Sequence, residues 1–182
     1  MRATDELWPR QDRAPDMNEN SWNICWAEQH HGEALIPLLR ALHEHDVADS
    51  AAVDDVELAA HVERLLNPSN PHRLVLVLDD HEQAIGLAAV ATFISISELR
   101  QDRCKQMELK ELFVAPDHRG SGIGEALMAW VENEANINGA SRLDWHVKRD
   151  NHRGIAFYRR FGATVVEDRL SMRKLITPRQ EE

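Results

Sequence analysis

Apolar residues along the chain recur in two rhythms, and each change of rhythm marks an element. Trp22 to Ala27 predicts a short strand. From Glu33 to His45, Leu35, Ile36, Leu38, Leu39 and Leu42 recur at three- and four-residue spacing, one side of an amphipathic helix. A second helix is expected over Val56 to Leu66, entered through Asp54 and Asp55, acids that suit a helix start, and punctuated by Pro68 and Pro71. Leu74 to Leu78 is an unbroken apolar run, expected as a buried strand. Asp79 to Gln83 then turns the chain into a partner strand from Ala84 to Ile96. The polar segment Ser97 to Lys105 leads to a further strand ending Leu109-Lys110-Glu111-Leu112-Phe113-Val114. A helical pattern opens with Glu125 to Val131 and stops at Asn138-Gly139, a good C-terminal signal. Leu143 to Val147 predicts a strand, and Arg153 to Phe161 a short helix closed by Gly162. Thr164 to Val166 and Arg169 to Leu175 predict two final strands. The order β-α-α-β-β-β-α-β-α-β-β describes one mixed α/β domain over residues 21–177. Residues 1–20 hold few apolar groups and read as a disordered arm, residues 178–182 as a tail, and Met17 is as plausible a start as Met1.

Composition narrows the function classes. A chain of 182 residues supports one domain with a substantial core. Cys25 and Cys104 lie far apart and form no C-x-x-C, so neither a disulfide framework nor a zinc site is suggested, and a reduced, cytoplasmic setting is the simpler expectation. No stretch approaches a membrane span and the N-terminus lacks a signal peptide's apolar core, so no membrane partner is expected. The net charge of −10 argues against nucleic acid as a partner. It is compatible with a cationic ligand, or with solubility alone. Ten histidines raise the question of a metal. None lies in H-E-x-x-H, and on a helix the set His43, Glu44, His45, Asp46 splays its side chains apart, so no metal is expected.

The run Arg119-Gly120-Ser121-Gly122-Ile123-Gly124 stands between a strand and a helix. A helix start has backbone N–H groups without intrahelical partners and a partial positive charge, which suits phosphate. Glycine removes the Cβ atoms that would hold a diphosphate away, and Arg119 adds a charged fork. A dinucleotide loop would need a third glycine where Glu125 stands, and a nucleoside-triphosphate loop would need a lysine that the run lacks. A glycine-rich turn without a ligand remains the plain alternative.

Further on, Asn151-His152-Arg153-Gly154-Ile155-Ala156-Phe157-Tyr158 leads polar residues into an aromatic pair, followed by Phe161-Gly162-Ala163. With these two motifs the chain resembles the GNAT superfamily of acetyl-CoA-dependent N-acetyltransferases. The glycine run matches that family's R-x-x-G-x-G loop, and Asn151 to Ala163 matches its N-x-x-A/G-x-x-F-Y…G-A signature. The likeness is strong from about Glu108 to Thr164 and topological over Trp22 to Leu175. It implies a central, mostly antiparallel sheet splayed between the fourth and fifth strands, with helices on both faces. It implies that amides of Arg119, Gly120, Ser121, Gly122, Ile123, Gly124 and Glu125 hold the pyrophosphate of acetyl-CoA. Main-chain groups of Leu112, Phe113 and Val114 would pair with the pantetheine arm, and the Asn151 amide would bind the cofactor arm. Lys110-Glu111 breaks the two-residue alternation, which suits a β-bulge or a merely structural irregularity.

The resemblance also implies chemistry. Tyr158 would protonate the departing thiolate, a step open to a phenol of pKa near 10 only when well placed. A core aromatic is its bland alternative. Glu111 is the leading candidate for the base that deprotonates the acceptor ammonium, directly or through water, with Glu108 and His146 behind it. Relatives similar to the spermidine/spermine and thialysine acetyltransferases read Leu-Glu-Asp here, whereas this chain has Leu109-Lys110-Glu111. Between His43 and Glu57, Glu44, Asp46, Asp49, Asp54, Asp55 and Glu57 form either an acidic rim for cationic amines or a solvated loop and helix start. The expected activity is acetyl transfer from acetyl-CoA to a small cationic primary amine. A protein lysine or N-terminus as acceptor, and a non-catalytic acyl-CoA sensor, are the alternatives. A homodimer is expected by family resemblance.

Overall fold

The computed structural model describes residues 21–46 and 52–176. The expected N-terminal arm, the C-terminal tail, Met17 and Asp49 of the acidic rim lie outside the described residues. Two compact units make up the chain, one ending at Trp145 and the other beginning at His146.

The first unit is built on five strands: β1 (Trp22–Trp26), β2 (Arg73–Asp79), β3 (Ala84–Ile94), β4 (Lys105–Val114) and β5 (Leu143–Trp145). They lie side by side in sequence order. The first four are antiparallel, and β5 runs parallel to β4. Three helices accompany them: α1 (Gly32–Asp46), α2 (Asp55–Leu65) and α3 (Ile123–Ile137). Opposed residues in a ladder share a face, so the pairing sorts the core. Leu74, Leu76 and Leu78 of β2, with Leu87 and Ala89 of β3 and Phe113 of β4, pack with Leu35, Leu38 and Leu39 of α1 and Leu58 and Val62 of α2. The opposite face carries α3. A Cβ on Gly86 would lie 2.9 Å from Ile123 Cγ2, so a bare backbone there lets the start of α3 settle against β3. On the same face, at the β1 edge, Trp26 meets Trp130 of α3 edge-on at 4.6 Å, with the Arg73 guanidinium 3.8 Å above the Trp26 ring. Helices thus cover both faces.

The helix ends follow the expected signals. Asp54 caps α2, accepting a hydrogen bond from Glu57 N at 2.7 Å. At the end of α3, Ala140 N donates to Ala135 O and Gly139 N to Asn136 O, with Gly139 left-handed, the two bonds of a Schellman stop.

In the second unit the residues from His146 to Ile176 form one helix, α4 (His152–Arg160). The two final strands expected at Thr164 to Val166 and Arg169 to Leu175 are not formed. Their apolar residues, Val165, Val166, Leu170, Met172 and Leu175, are all exposed. An alternating pattern becomes a strand only where a neighbour supplies ladder bonds and cover, and no strand pairs with this stretch among the described residues.

Candidate functional site

The end of β4 is where the sequence motifs become geometry. Ala89 of β3 faces Glu111, but the next residue, Val90, faces Leu109. Lys110 is the extra residue of a β-bulge at the position where alternation fails in the sequence. Across the bulge, Glu111 shares the face of Ala89 and Phe113, the face packed by α1 and α2. Glu108, opposite Ala91 and beside Asp144, has Lys110 Nζ 3.6 Å from its carboxylate. The ladder between β4 and β5 has three pairs and stops at Leu109 with Trp145. From there β4 continues on the β3 side alone, so Leu112, Phe113 and Val114 lie beyond the reach of β5.

After Val114 a short 3-10 turn at Pro116–His118 delivers the glycine loop. Gly120 and Gly122 have φ of 86° and 85°. A Cβ on Gly120 would meet nothing within 4 Å, and one on Gly122 only the Glu125 carboxylate at 4.0 Å. The protein therefore needs glycine here for its left-handed backbone. The loop is braced from within: Ser121 Oγ donates to the His118 carbonyl (2.6 Å) and Arg119 Nε to the Val114 carbonyl (3.1 Å). Gly122 is the N-cap of α3 and provides no side-chain cap. The first-turn amides of Ile123, Gly124 and Glu125 have no carbonyl within the helix to receive them. Arg119 thus ties the loop to the strand end, with its guanidinium 5.4 Å from the centre of the Phe113 ring, more brace than free fork.

Phe113 is 4% exposed and also receives His45 from the end of α1, with ring centres 5.8 Å apart. In the sequence, His45 stands out as a metal-ligand candidate within His43, Glu44, His45 and Asp46, not as a partner of Phe113. The signal was present: His45 is three residues past Leu42 and prolongs the stripe that α1 turns to the core. Among the described residues no cluster of three histidines, cysteines or acids is placed to hold a metal. In the acidic stretch, Asp54 is spent on capping, and Asp55 accepts from Arg40 Nη2 at 2.6 Å while Arg40 Nη1 reaches Val53 O. These two acids hold α1 to α2 and start the second helix. Cys25 is pushed up to about 11 by burial and by Glu28, so it stays a thiol.

In the second unit, Asn151 is the N-cap of α4: its Oδ1 accepts from Gly154 N at 2.8 Å. A Cβ on Gly154 would lie 2.6 Å from Asn151 Nδ2 and 2.9 Å from its Cγ. The spacing from asparagine to glycine is thus a cap and the room that the cap needs. The other end follows suit. Ala163 N donates to Tyr158 O and Gly162 N to Arg159 O, a Schellman stop with Gly162 left-handed. Tyr158 is half-buried and meets Phe157 edge-on at 5.2 Å, while Phe157 also packs against Phe161 at 5.1 Å. His146 is exposed at the start of this unit.

A bulged β4 that outlasts β5, a braced glycine loop and an α3 start without a side-chain cap follow one another along the chain. The model of the acetyltransferase (GNAT) family matches residues 8–163, and the chain belongs to that family. Among solved structures, an integron cassette protein from the mobile metagenome of V. cholerae is 25% identical with a TM-score of 0.76, over 86% of this chain and 93% of that one. An aminoglycoside acetyltransferase from an uncultured soil metagenomic sample, in complex with sisomicin, is 15% identical with a TM-score of 0.70, over 87% and 99%. An aminoglycoside N-acetyltransferase in complex with CoA is 20% identical with a TM-score of 0.65, over 84% and 94%. No curated protein matches. No described helix is long and apolar enough to cross a membrane.

Proposed function

We propose that this acetyltransferase moves the acetyl group of acetyl-CoA onto a primary amine, a small cationic one, by direct attack in a ternary complex. The observation that carries this reading is the junction of β4 and α3. There, two left-handed glycines leave the first amides of a fifteen-residue helix without a side-chain cap, immediately after a strand that has outrun its neighbour. The pyrophosphate fits amides of Arg119 to Glu125, since no Cβ intrudes at Gly120 or Gly122. The pantetheine arm fits the main chain of Leu112, Phe113 and Val114, although the Val114 carbonyl already receives Arg119. Asn151 has Oδ1 engaged in its cap, so Nδ2 is the atom it offers to the cofactor.

Acetyl-CoA supplies the thioester carbonyl. Glu111, or a water it holds, takes the proton that the acceptor ammonium must lose before attack. Tyr158 gives its hydroxyl proton to the departing sulfur. The net charge of −10 and the acids Glu44 and Asp46 at the end of α1 favour a cationic acceptor. Aminoglycoside acetyltransferases among the fold neighbours agree with an amine. A cytoplasmic homodimer completes the reading.

Coenzyme A release against polyamines, lysine analogues, aminoglycosides and peptides tests it. Release with the small cationic amines is expected. Release with peptides alone would make the acceptor a protein. Intact acyl-CoA binding with no release would make the chain a sensor. Tyr158→Phe should lower turnover roughly a hundredfold while leaving coenzyme A affinity in place. Equal turnover removes Tyr158 as the acid.

A further inference from the structure

Strand β4 is apolar on one face and polar on the other. Met107 and Leu109, opposite Thr92 and Val90, are buried on the side that carries α3. Gln106, Glu108 and Glu111, opposite Phe93, Ala91 and Ala89, share the other side. Of β4, only Phe113 belongs to the core under α1 and α2, so the first half of the strand presents polar residues there. At its outer end this face meets an open depression of about 530 Å³ lined by Glu98, Asp102, Arg103, Gln106, Ser141 and Arg142. Small-molecule clefts have that size. Gln106 is 3% exposed, a depth that polar side chains seldom reach without partners. Its Oε1 accepts from Arg142 Nη2 at 2.9 Å, and Arg142 Nε donates to Asp144 Oδ2 at 2.6 Å. Gln106 Nε2 has no hydrogen-bond acceptor among the described residues. A nearly buried amide whose oxygen is engaged and whose N–H groups are not is completed by an oxygen from outside. The walls are set in advance. Ser141 Oγ donates to the carbonyls of Arg103 and Lys105 at 2.8 and 3.1 Å, joining the entry of β5 to that of β4. Glu98 Oε1 accepts from Arg100 N at 3.1 Å.

We propose that this depression is a binding site for a small zwitterion, an amino acid or a dipeptide with both ends free. The carboxylate of the ligand takes Gln106 Nε2 and the Arg142 guanidinium, with Arg103 beside them. Its ammonium takes Glu98 and Asp102. Charge selects this class of ligand. In a chain of net charge −10, two arginines and two acids surround one depression, so neither a simple anion nor a simple cation meets a field of one sign. A ligand that carries both charges finds a partner for each. The site is distinct from the acceptor position assigned to Glu111. Gln106 and Glu111 stand opposite Phe93 and Ala89, four residues apart on β3, which separates them by about 13 Å along the strand. That exceeds the reach of a lysine side chain, so an amino acid held here is not itself acetylated. This inference does not depend on the acetyl-transfer reading.

Calorimetry on the full chain reads the result, with L-alanine, L-alanyl-L-alanine, N-acetyl-L-alanine and L-alanine amide as probes. At least one of the two zwitterions should bind about tenfold tighter than either singly charged probe. Gln106→Glu keeps an oxygen for Arg142 and removes the Nε2 donor, so that zwitterion should bind about tenfold weaker. Asp102→Asn should weaken the zwitterion about fivefold and leave N-acetyl-L-alanine unaffected. Asp102 is exposed, so the unfolding midpoint of that variant should not move. Mass spectrometry after incubation with acetyl-CoA should recover the bound zwitterion unmodified. Absence of saturable binding by all four probes up to about 10 mM overturns the proposal. So does equal binding of the zwitterions and the singly charged probes, or binding indifferent to both substitutions. An acetylated zwitterion overturns it too, because its ammonium would then lie at the acceptor position.

Discussion

Two helices of this molecule begin in opposite ways. α3 starts on Gly122, which has no side chain to turn back on the helix and gives its first turn no side-chain cap. α4 starts on Asn151, whose Oδ1 closes onto Gly154 N. Each start depends on a glycine, and the two glycines do opposite work. At Gly122 the backbone is left-handed and a Cβ would meet only the Glu125 carboxylate, at 4.0 Å; at Gly154 a Cβ would collide with the capping side chain. An uncapped start is what an anion needs, and a capped one gives a short helix an end of its own.

The largest effect should come from closing the open start. Gly122→Val puts a β-branched residue at φ 85°, a conformation that disfavours it by about 1–2 kcal/mol. The loop must move, and the α3 amides move with it. Coenzyme A should bind roughly tenfold weaker or worse, read by calorimetry, together with a lower unfolding midpoint. Unchanged affinity would mean that α3 begins open for some other reason.

Next comes the closed start, and its glycine gives an unusual expectation. Gly→Ala in a helix ordinarily stabilises by up to about 1 kcal/mol. Here Asn151 must swing away to admit the new methyl, which gives up a cap worth about 1 kcal/mol, so Gly154→Ala should gain nothing. Asn151→Ala should cost about 1 kcal/mol in the natural chain and close to nothing in the Gly154→Ala background. Additive losses would show that the two residues act separately.

Asn151→Asp then separates the two duties assigned to this side chain. Aspartate is as good an N-cap as asparagine, so stability should hold within about 0.5 kcal/mol. The Nδ2 donor disappears and a negative charge replaces it. If Asn151 serves the cofactor as well as the helix, coenzyme A affinity falls while the unfolding midpoint stays. If both stay, the asparagine is a cap alone.

How much of this was legible beforehand differs between the same two regions. The loop at Arg119 to Gly124, the bulge at Lys110 and the Schellman stops at Gly139 and Gly162 could be placed from local residues. Each depends on backbone preferences acting over a few positions. The reason for Gly154 could not be read, because it lies in the path of one side chain. Nor could the bond from Arg119 to the Val114 carbonyl, which makes a loop brace of an apparent ligand fork. His45 against Phe113 required the register of α1 on β4. The strands expected after Gly162 failed for a further reason: alternation reports that a segment could be covered on one face, and it is silent on which strand would pair with it.

Asp79 offers the smallest effect and a third way to close amides, with a charge. At the turn from β2 to β3, its Oδ1 accepts from His81 N and Gln83 N, each at 2.9 Å. The bond from Gln83, helped by that from His81, holds this carboxyl below its ordinary value. A carboxyl depressed on folding adds stability that is fully present above its unfolded pKa, near 3.9, and is lost as pH falls through the lower folded value. Asp79→Asn keeps an oxygen for both amides and discards the charge, so the turn should survive. The denaturant midpoint at pH 7 should drop slightly, and the further drop between pH 5 and pH 2 should be smaller than in the natural chain. A parallel loss in both proteins would mean that the two amides value the oxygen and not its charge, making Asp79 the hairpin's equivalent of Asn151.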